Sequence, residues 1–163
     1  MRTCQQNGSH SVRSLARVLL LLLMSAYSGL AVSAESASDW VIDRSNGCRI
    51  WNQVPEENEA VLWSGGCRDG LAEGRGIVQW FHDGAATERY EGELRAGKPN
   101  GHGILTRRNG DHYDGDWRDG KADGAGQVEL RSGYRYNGVW AGGCTRDHEN
   151  NIIAVGTNAS TCP

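Results

Sequence analysis

Three short segments of the chain alternate apolar and polar positions with a two-residue period. They are Tyr90-Glu91-Gly92-Glu93-Leu94, Tyr113-Asp114-Gly115-Asp116-Trp117 and Tyr136-Asn137-Gly138-Val139-Trp140. A strand turns successive side chains to opposite faces, so each segment reads as a strand with its ring or aliphatic group on one side. The segments recur at 23-residue intervals, and the glycines keep the same phase. Gly97, Gly101, Gly103 and Gly110 follow Gly92 at the offsets at which Gly120, Gly124, Gly126 and Gly133 follow Gly115. An earlier copy starts at Trp63-Ser64-Gly65, holds Gly70, Gly74 and Gly76 in phase, and carries four extra residues before Tyr90. A fixed period of this size is the mark of an array built from one small unit.

Two turn signals alternate inside each unit. Asp69-Gly70, Ala96-Gly97 and Asp119-Gly120 form one set; Asp83-Gly84, Asn109-Gly110 and Ser132-Gly133 form the other. Such pairs suit tight hairpins in which both central residues take positive φ. Two turns per unit leave two short strands, with Val78, Leu105 and Val128 in phase on the second strand and Ile77, Ile104 and Gln127 beside them. Residues 35–163 show no helical periodicity. The predicted fold is all-β, an elongated single-layer antiparallel β-meander of stacked hairpins with disulfide-stapled ends. Stacking would align Tyr90, Tyr113 and Tyr136 in one row and Leu94, Trp117 and Trp140 in another. The intervening glycines would leave room for the rings to lie flat over the backbone.

The ends follow different rules. In residues 1–34, Arg2, Arg13 and Arg17 precede the apolar run from Val18 to Met24, and Val32-Ser33-Ala34 is a small-residue cleavage site. That layout is a secretory signal peptide, an uncleaved anchor being the other reading. Residues 35–62, with the strand candidate Cys48-Arg49-Ile50-Trp51, read as an N-terminal cap, and residues 63–143 as the array. Residues 144–163, with Ile152-Ile153-Ala154-Val155, read as a capping tail. Terminal strands of an open sheet carry unpaired backbone groups, which is why caps are expected. Four cysteines remain beyond the leader: Cys48, Cys67, Cys144 and Cys162. An even count in an exported chain points to two disulfides. Of three connectivities, Cys48–Cys67 with Cys144–Cys162 is expected, because it puts one bridge at each end of the array. Each loop of about 20 residues would be worth roughly 3 kcal/mol. A zinc site is the rival, but the spacing contains no CxxC pair.

The phrase from Tyr90 to Gly103, with Gly97-Lys98 and Gly101 inside it, resembles the MORN repeat (membrane occupation and recognition nexus), as does that from Tyr113 to Gly126 with Gly120-Lys121 and Gly124. The likeness runs from Trp63 to Gly143. The first copy departs from it, with Trp63 for the tyrosine and Cys67 for the aromatic, and the last is a half-repeat. The resemblance implies hairpins stacked into a slightly twisted sheet with an aromatic groove, serving as scaffold, dimerisation surface or appendage. The chain is also similar to short exported MORN proteins of bacterial envelopes.

Charge and chemistry narrow the function. Without Arg2, Arg13 and Arg17, the 17 basic residues fall to 14 against 20 acidic ones, a net charge near −6. That balance excludes an electrostatic footprint for nucleic acid and argues against anionic head groups, including the phosphoinositides proposed for the family. The acidic stretch from Asp111 to Asp116 fails the EF-hand pattern, since Ala125 is the twelfth residue from Asp114. His82, His102, His112 and His148 lie at unrelated phases and define no ligand set. No nucleophile elbow, oxyanion loop or phosphate loop is present, so neither enzyme nor cofactor is expected. The expected role is a non-catalytic module, periplasmic or secreted, that binds a protein partner or envelope component, with a homodimer left open. The candidate groove comprises Tyr90, Leu94, Tyr113, Trp117, Tyr136 and Trp140, residues whose foremost expected use is to pack the apolar face of the sheet. The alternative is a carbohydrate- or peptidoglycan-binding module using those rings. Asn158-Ala159-Ser160 matches a glycosylation acceptor.

Overall fold

The computed structural model describes residues 39–53 and 55–163; the leader assigned to residues 1–34 lies outside the described residues. The array is an open, single-layer antiparallel meander, as its period predicts. Its strands are β3 (Glu59–Trp63), β4 (Gly66–Arg68), β5 (Leu71–His82), β6 (Ala85–Arg95), β7 (Lys98–Arg107), β8 (His112–Arg118), β9 (Lys121–Glu129) and β10 (Arg135–Trp140). β3 and β4 both pair with β5, and from β5 to β10 each strand pairs with the next. Together β3 and β4 make one edge, interrupted at Ser64-Gly65, so the first repeat strand begins at Glu59.

One file of glycines crosses the sheet: Gly76 faces Gly92, Gly92 faces Gly103, and the file continues through Gly115, Gly126 and Gly138. Rings cover alternate pairs, Tyr90 over Gly92 and Gly103 and Tyr113 over Gly115 and Gly126. A Cβ on Gly103 would fall 2.6 Å from ring carbons of Tyr90, and one on Gly126 would fall 2.6 Å from those of Tyr113. Trp63 does the same over Gly65 and Gly76. The flat-ring expectation therefore holds, and it extends to the tryptophan that replaces the first tyrosine.

The turns divide into two kinds rather than one. Both central residues have positive φ in Asp69-Gly70, Asp83-Gly84, Ala96-Gly97 and Asp119-Gly120. At Asn109-Gly110 and Ser132-Gly133 only the glycine does. The reason is loop length. Arg107 N donates to Asp111 O and Leu130 N to Tyr134 O, so three residues, not two, make each connection. A three-residue hairpin uses an ordinary turn followed by one left-handed glycine.

Beyond the strands, a second ladder of hydrogen bonds ties turn to turn. Gly97 N donates to Ala72 O, Gly120 N to Pro99 O, and Gly143 N to Ala122 O. The cap and tail lie along this line of turns. The cap contributes β1 (Trp40–Ile42) and β2 (Arg49–Trp51), antiparallel to each other. Arg49 N donates to Gly70 O and Trp51 N to Gly97 O, and β2 meets β5 in parallel at Arg49 and Leu71. The tail contributes β11 (Cys144–Arg146), β12 (Ile152–Ala154) and a short 3-10 turn, Ala159–Thr161. Ala122 N donates to Val155 O, and Val155 N to Gly143 O. The two segments meet where Gln53 Nε2 donates to Thr157 Oγ1 at 3.5 Å. The bridges are Cys48–Cys67 and Cys144–Cys162, with Cα separations of 5.7 and 5.6 Å. The first pins the cap to β4 and the second closes the tail on itself, the pairing expected from one bridge at each end of the array.

A single buried carboxylate fixes the cap to the first strand. Asp43 is fully buried and accepts from Ser45 N at 2.8 Å, Ser45 Oγ at 2.7 Å and Trp63 N at 2.7 Å. Burial opposes its charge, but the bonds from Ser45, Trp63 and Asn46 outweigh that and hold the carboxyl below its ordinary value. Asp43→Ala would leave the Trp63 amide buried without a partner, at a cost of about 2 kcal/mol in urea unfolding. A depressed carboxyl stabilises fully above its unfolded pKa of about 3.9 and loses that contribution as pH falls through the lower folded value. Asp43→Asn should therefore flatten the loss of stability below about pH 4 relative to the wild type. An unchanged acid limb would show that Asp43 does not anchor the cap.

Candidate functional site

The six residues of the expected groove come together on the inner face of the sheet, and they form core. Tyr90, Leu94, Tyr113, Trp117 and Trp140 are each at most 5 % exposed; only Tyr136 is half-buried. The two expected rows interleave into one file of edge-to-face contacts. Tyr90 to Trp117, Trp117 to Tyr113, Tyr113 to Trp140 and Trp140 to Tyr136 have centroid separations of 5.3, 5.3, 5.0 and 5.9 Å. Edge-to-face geometry sets the positive ring edge against the negative ring face.

The tips of Tyr90, Tyr113 and Trp117 are satisfied within the sheet, whereas the buried Trp140 Nε1 has no partner among the described residues. Tyr90 Oη donates to Glu93 O, Tyr113 Oη to Asp116 O, and Trp117 Nε1 to Gly103 O at 3.0 Å. Burial raises the pKa of both tyrosines, reinforced by the Glu93 and Asp116 carboxylates, so the hydroxyls stay protonated. The aromatic face is covered because the cap brings Cys48 and Ile50 into the core and the tail brings Val155. The open groove expected from the rings is thus a packed interior.

Of the openings among the described residues, two stand out by their lining. The first is a cavity of about 250 Å³ where cap and tail meet, lined by Trp51, Gln53, Trp80, Tyr90, Leu105 and Trp117 among others. Of the expected residues only Tyr90 and Trp117 reach it. Trp51, Gln53, Trp80, Glu88, Arg107 and Thr157 also line it and lie outside the expected groove. The sequence signal for part of this set is phase: Trp80, Arg107 and Leu130 each stand four residues beyond a glycine of the central file, and Arg107 alone is charged. The second opening is a groove between cap and first strand, about 820 Å³, lined by Trp40, Ile42, Pro55, Leu62 and Phe81 with Arg44 and Glu56. Ile42 is 53 % and Leu62 49 % exposed.

The outer face of the sheet is mostly polar, with Ile104 and Val139 exposed on it. His102 Nε2 lies 3.0 Å from Asp114 Oδ1, and Arg135 Nε lies 2.8 Å from Glu129 Oε2. These are exposed pairs of little energetic weight. The acceptor-like Asn158 caps the 3-10 turn, its Oδ1 accepting from Ser160 N and Oγ.

Stacked two-strand units, a glycine file and rings laid over it define a solenoid-like β-repeat protein, in which each unit contacts its neighbours. The repeats are MORN repeats: the family described as the MORN repeat matches residues 90–112 and 113–133. Repeats of this family are in general non-catalytic modules of protein and membrane interaction. No curated protein matches the chain.

Proposed function

We propose that the protein is an exported, non-catalytic interaction module that holds a protein partner or envelope component through the groove between cap and first strand. The observation that carries this reading is the pair Ile42 and Leu62, two large aliphatic side chains left half in water on one groove. Adjacent exposed apolar groups mark contact surfaces far more often than scattered ones do. At Trp63 the edge of β3 is already occupied, with Asp43 taking the amide and Asn46 donating to the carbonyl at 3.0 Å. The partner therefore packs against side chains rather than adding a strand. Export is supported by the leader-like residues 1–34 and by two disulfides, which form in oxidising compartments. Among the described residues no helix is long and apolar enough to cross a membrane.

A photo-crosslinking residue at Leu62 should give an adduct of defined mass in intact cells. The same residue at Asn137, on the outer face, should give none, and Ile42→Asp should abolish the Leu62 adduct. Equal adducts from both positions would overturn the groove. The mature protein should begin near Glu35; a full-length amino terminus in the cytosolic fraction would overturn export.

A further inference from the structure

The cavity at the cap–tail junction carries chemistry that packing does not require. Its floor is apolar, with Tyr90 and Leu105 as cross-strand partners and Trp117 edge-on to Tyr90. Trp51 and Trp80 supply further rings. In the flanking repeats the inner-face position equivalent to Arg107 is apolar, Trp80 on one side and Leu130 on the other. The middle repeat instead places Arg107 opposite Glu88, with Nε donating to Oε1 at 3.2 Å. Both side chains keep water contact, at 41 % and 44 % exposed, while lining the cavity beside the rings. Two lining residues carry a buried polar atom with no hydrogen-bond partner among the described residues, the indole N–H of Trp80 and the amide oxygen of Gln53, as does Trp140 away from the cavity. The roof is joined by one long bond, Gln53 to Thr157 at 3.5 Å.

We propose that this cavity binds a neutral sugar ring, either a free monosaccharide or the terminal residue of a glycan. Each property of the wall selects for it. An apolar cavity of about 150 Å³ accepts benzene, so 250 Å³ holds one six-membered ring with its substituents. Glu88 and Arg107 cancel, so nothing in the pair favours an ionised ligand. The Glu88 carboxylate accepts, the Arg107 guanidinium donates, and a hydroxyl does both. The C–H face of a pyranose fits an aromatic floor while its rim of hydroxyls meets the polar groups.

The test is a ¹H–¹⁵N titration of the disulfide-bonded protein. The probes are methyl glycosides of glucose, galactose, mannose and N-acetylglucosamine, and the N-acetylglucosamine tetramer. At least one probe should saturate the Trp80 indole and Gln53 amide resonances, and Glu88→Leu with Arg107→Leu should weaken it tenfold or more. The leucines restore the apolar character of the neighbouring repeats, so the melting temperature should hold or rise. Should that variant unfold, Gln53→Ala gives the same reading from a surface loop, again as weaker binding. A tetramer bound tenfold more tightly than its methyl glycoside assigns the site to glycan ends; equal affinity assigns it to free sugar. No saturable shift up to tens of millimolar from any of the five probes would overturn the proposal. So would shifts confined to other residues, or unchanged binding by the variants. The Leu62 crosslink reads a groove that shares no residue with this cavity, so either proposal can fail alone.

Discussion

Gly126→Ala should destabilise the protein by about 3 kcal/mol, and most of that cost should vanish in a Tyr113→Leu background. The three atoms nearest the added methyl would all belong to Tyr113, its ring carbons 2.6 Å away. Removing the ring removes the conflict. Gly115→Ala is the control with the opposite outcome. Its Cβ would also fall 2.6 Å from Gly126 Cα and 2.7 Å from Ala125 O, which are backbone and cannot step aside. That substitution should stay costly whether or not Tyr113 is present. Urea unfolding of the four variants settles the matter; a Gly126→Ala cost unaffected by Tyr113→Leu would mean that the ring does not dictate the glycine.

Trp117→Ala should cost about 4 kcal/mol, the largest effect of any single side-chain truncation in the array. The ring is shared by two repeats, edge-on to both Tyr90 and Tyr113, and its Nε1 serves Gly103 O. Truncation loses both contacts and strands a buried carbonyl. Trp117→Phe should recover much of the loss by keeping a ring, though not the hydrogen bond. Leu94 fills the same phase one repeat earlier with fewer atoms, so Leu94→Ala should cost less, about 3 kcal/mol. A Trp117→Ala protein within about 1 kcal/mol of the wild type would refute a core built on the ring file.

The array is legible in the sequence because its information is local and repeated. Glycine phase, alternation and two-residue turns each act within a few residues, and successive copies confirm one another. Alternation alone therefore puts Tyr90, Tyr113 and Tyr136 on one face. The turns at Asn109-Gly110 and Ser132-Gly133 depart from the two-residue expectation because the dipeptide does not state where the flanking strands stop. The course of the covering segments leaves no such trace. Arg49 meets Gly70, Trp51 meets Gly97 and Val155 meets Ala122 and Gly143 through pairings that have no periodic mark. The rings can thus be expected to form a groove when they are in fact roofed. Asp43 is silent for the same reason, since its value depends on an amide 20 residues away. Arg107 is legible in principle, as the one charge in its phase, once the repeat serves as its own reference.

Cap and tail together act as a molecular tally of the repeats. The first two turns on this side of the sheet, at Gly70 and Gly97, are bonded by one flank, and Gly143 with Ala122 just past the Gly120 turn by the other, with Gln53 and Thr157 touching between them. Duplicating one 23-residue unit would preserve every local rule of the sheet yet part the flanks by two strand spacings, about 10 Å. Deleting a unit would drive them into each other. Arrays whose ends are free can lengthen or shorten by recombination, whereas this one carries a ruler that fixes its own number of rungs.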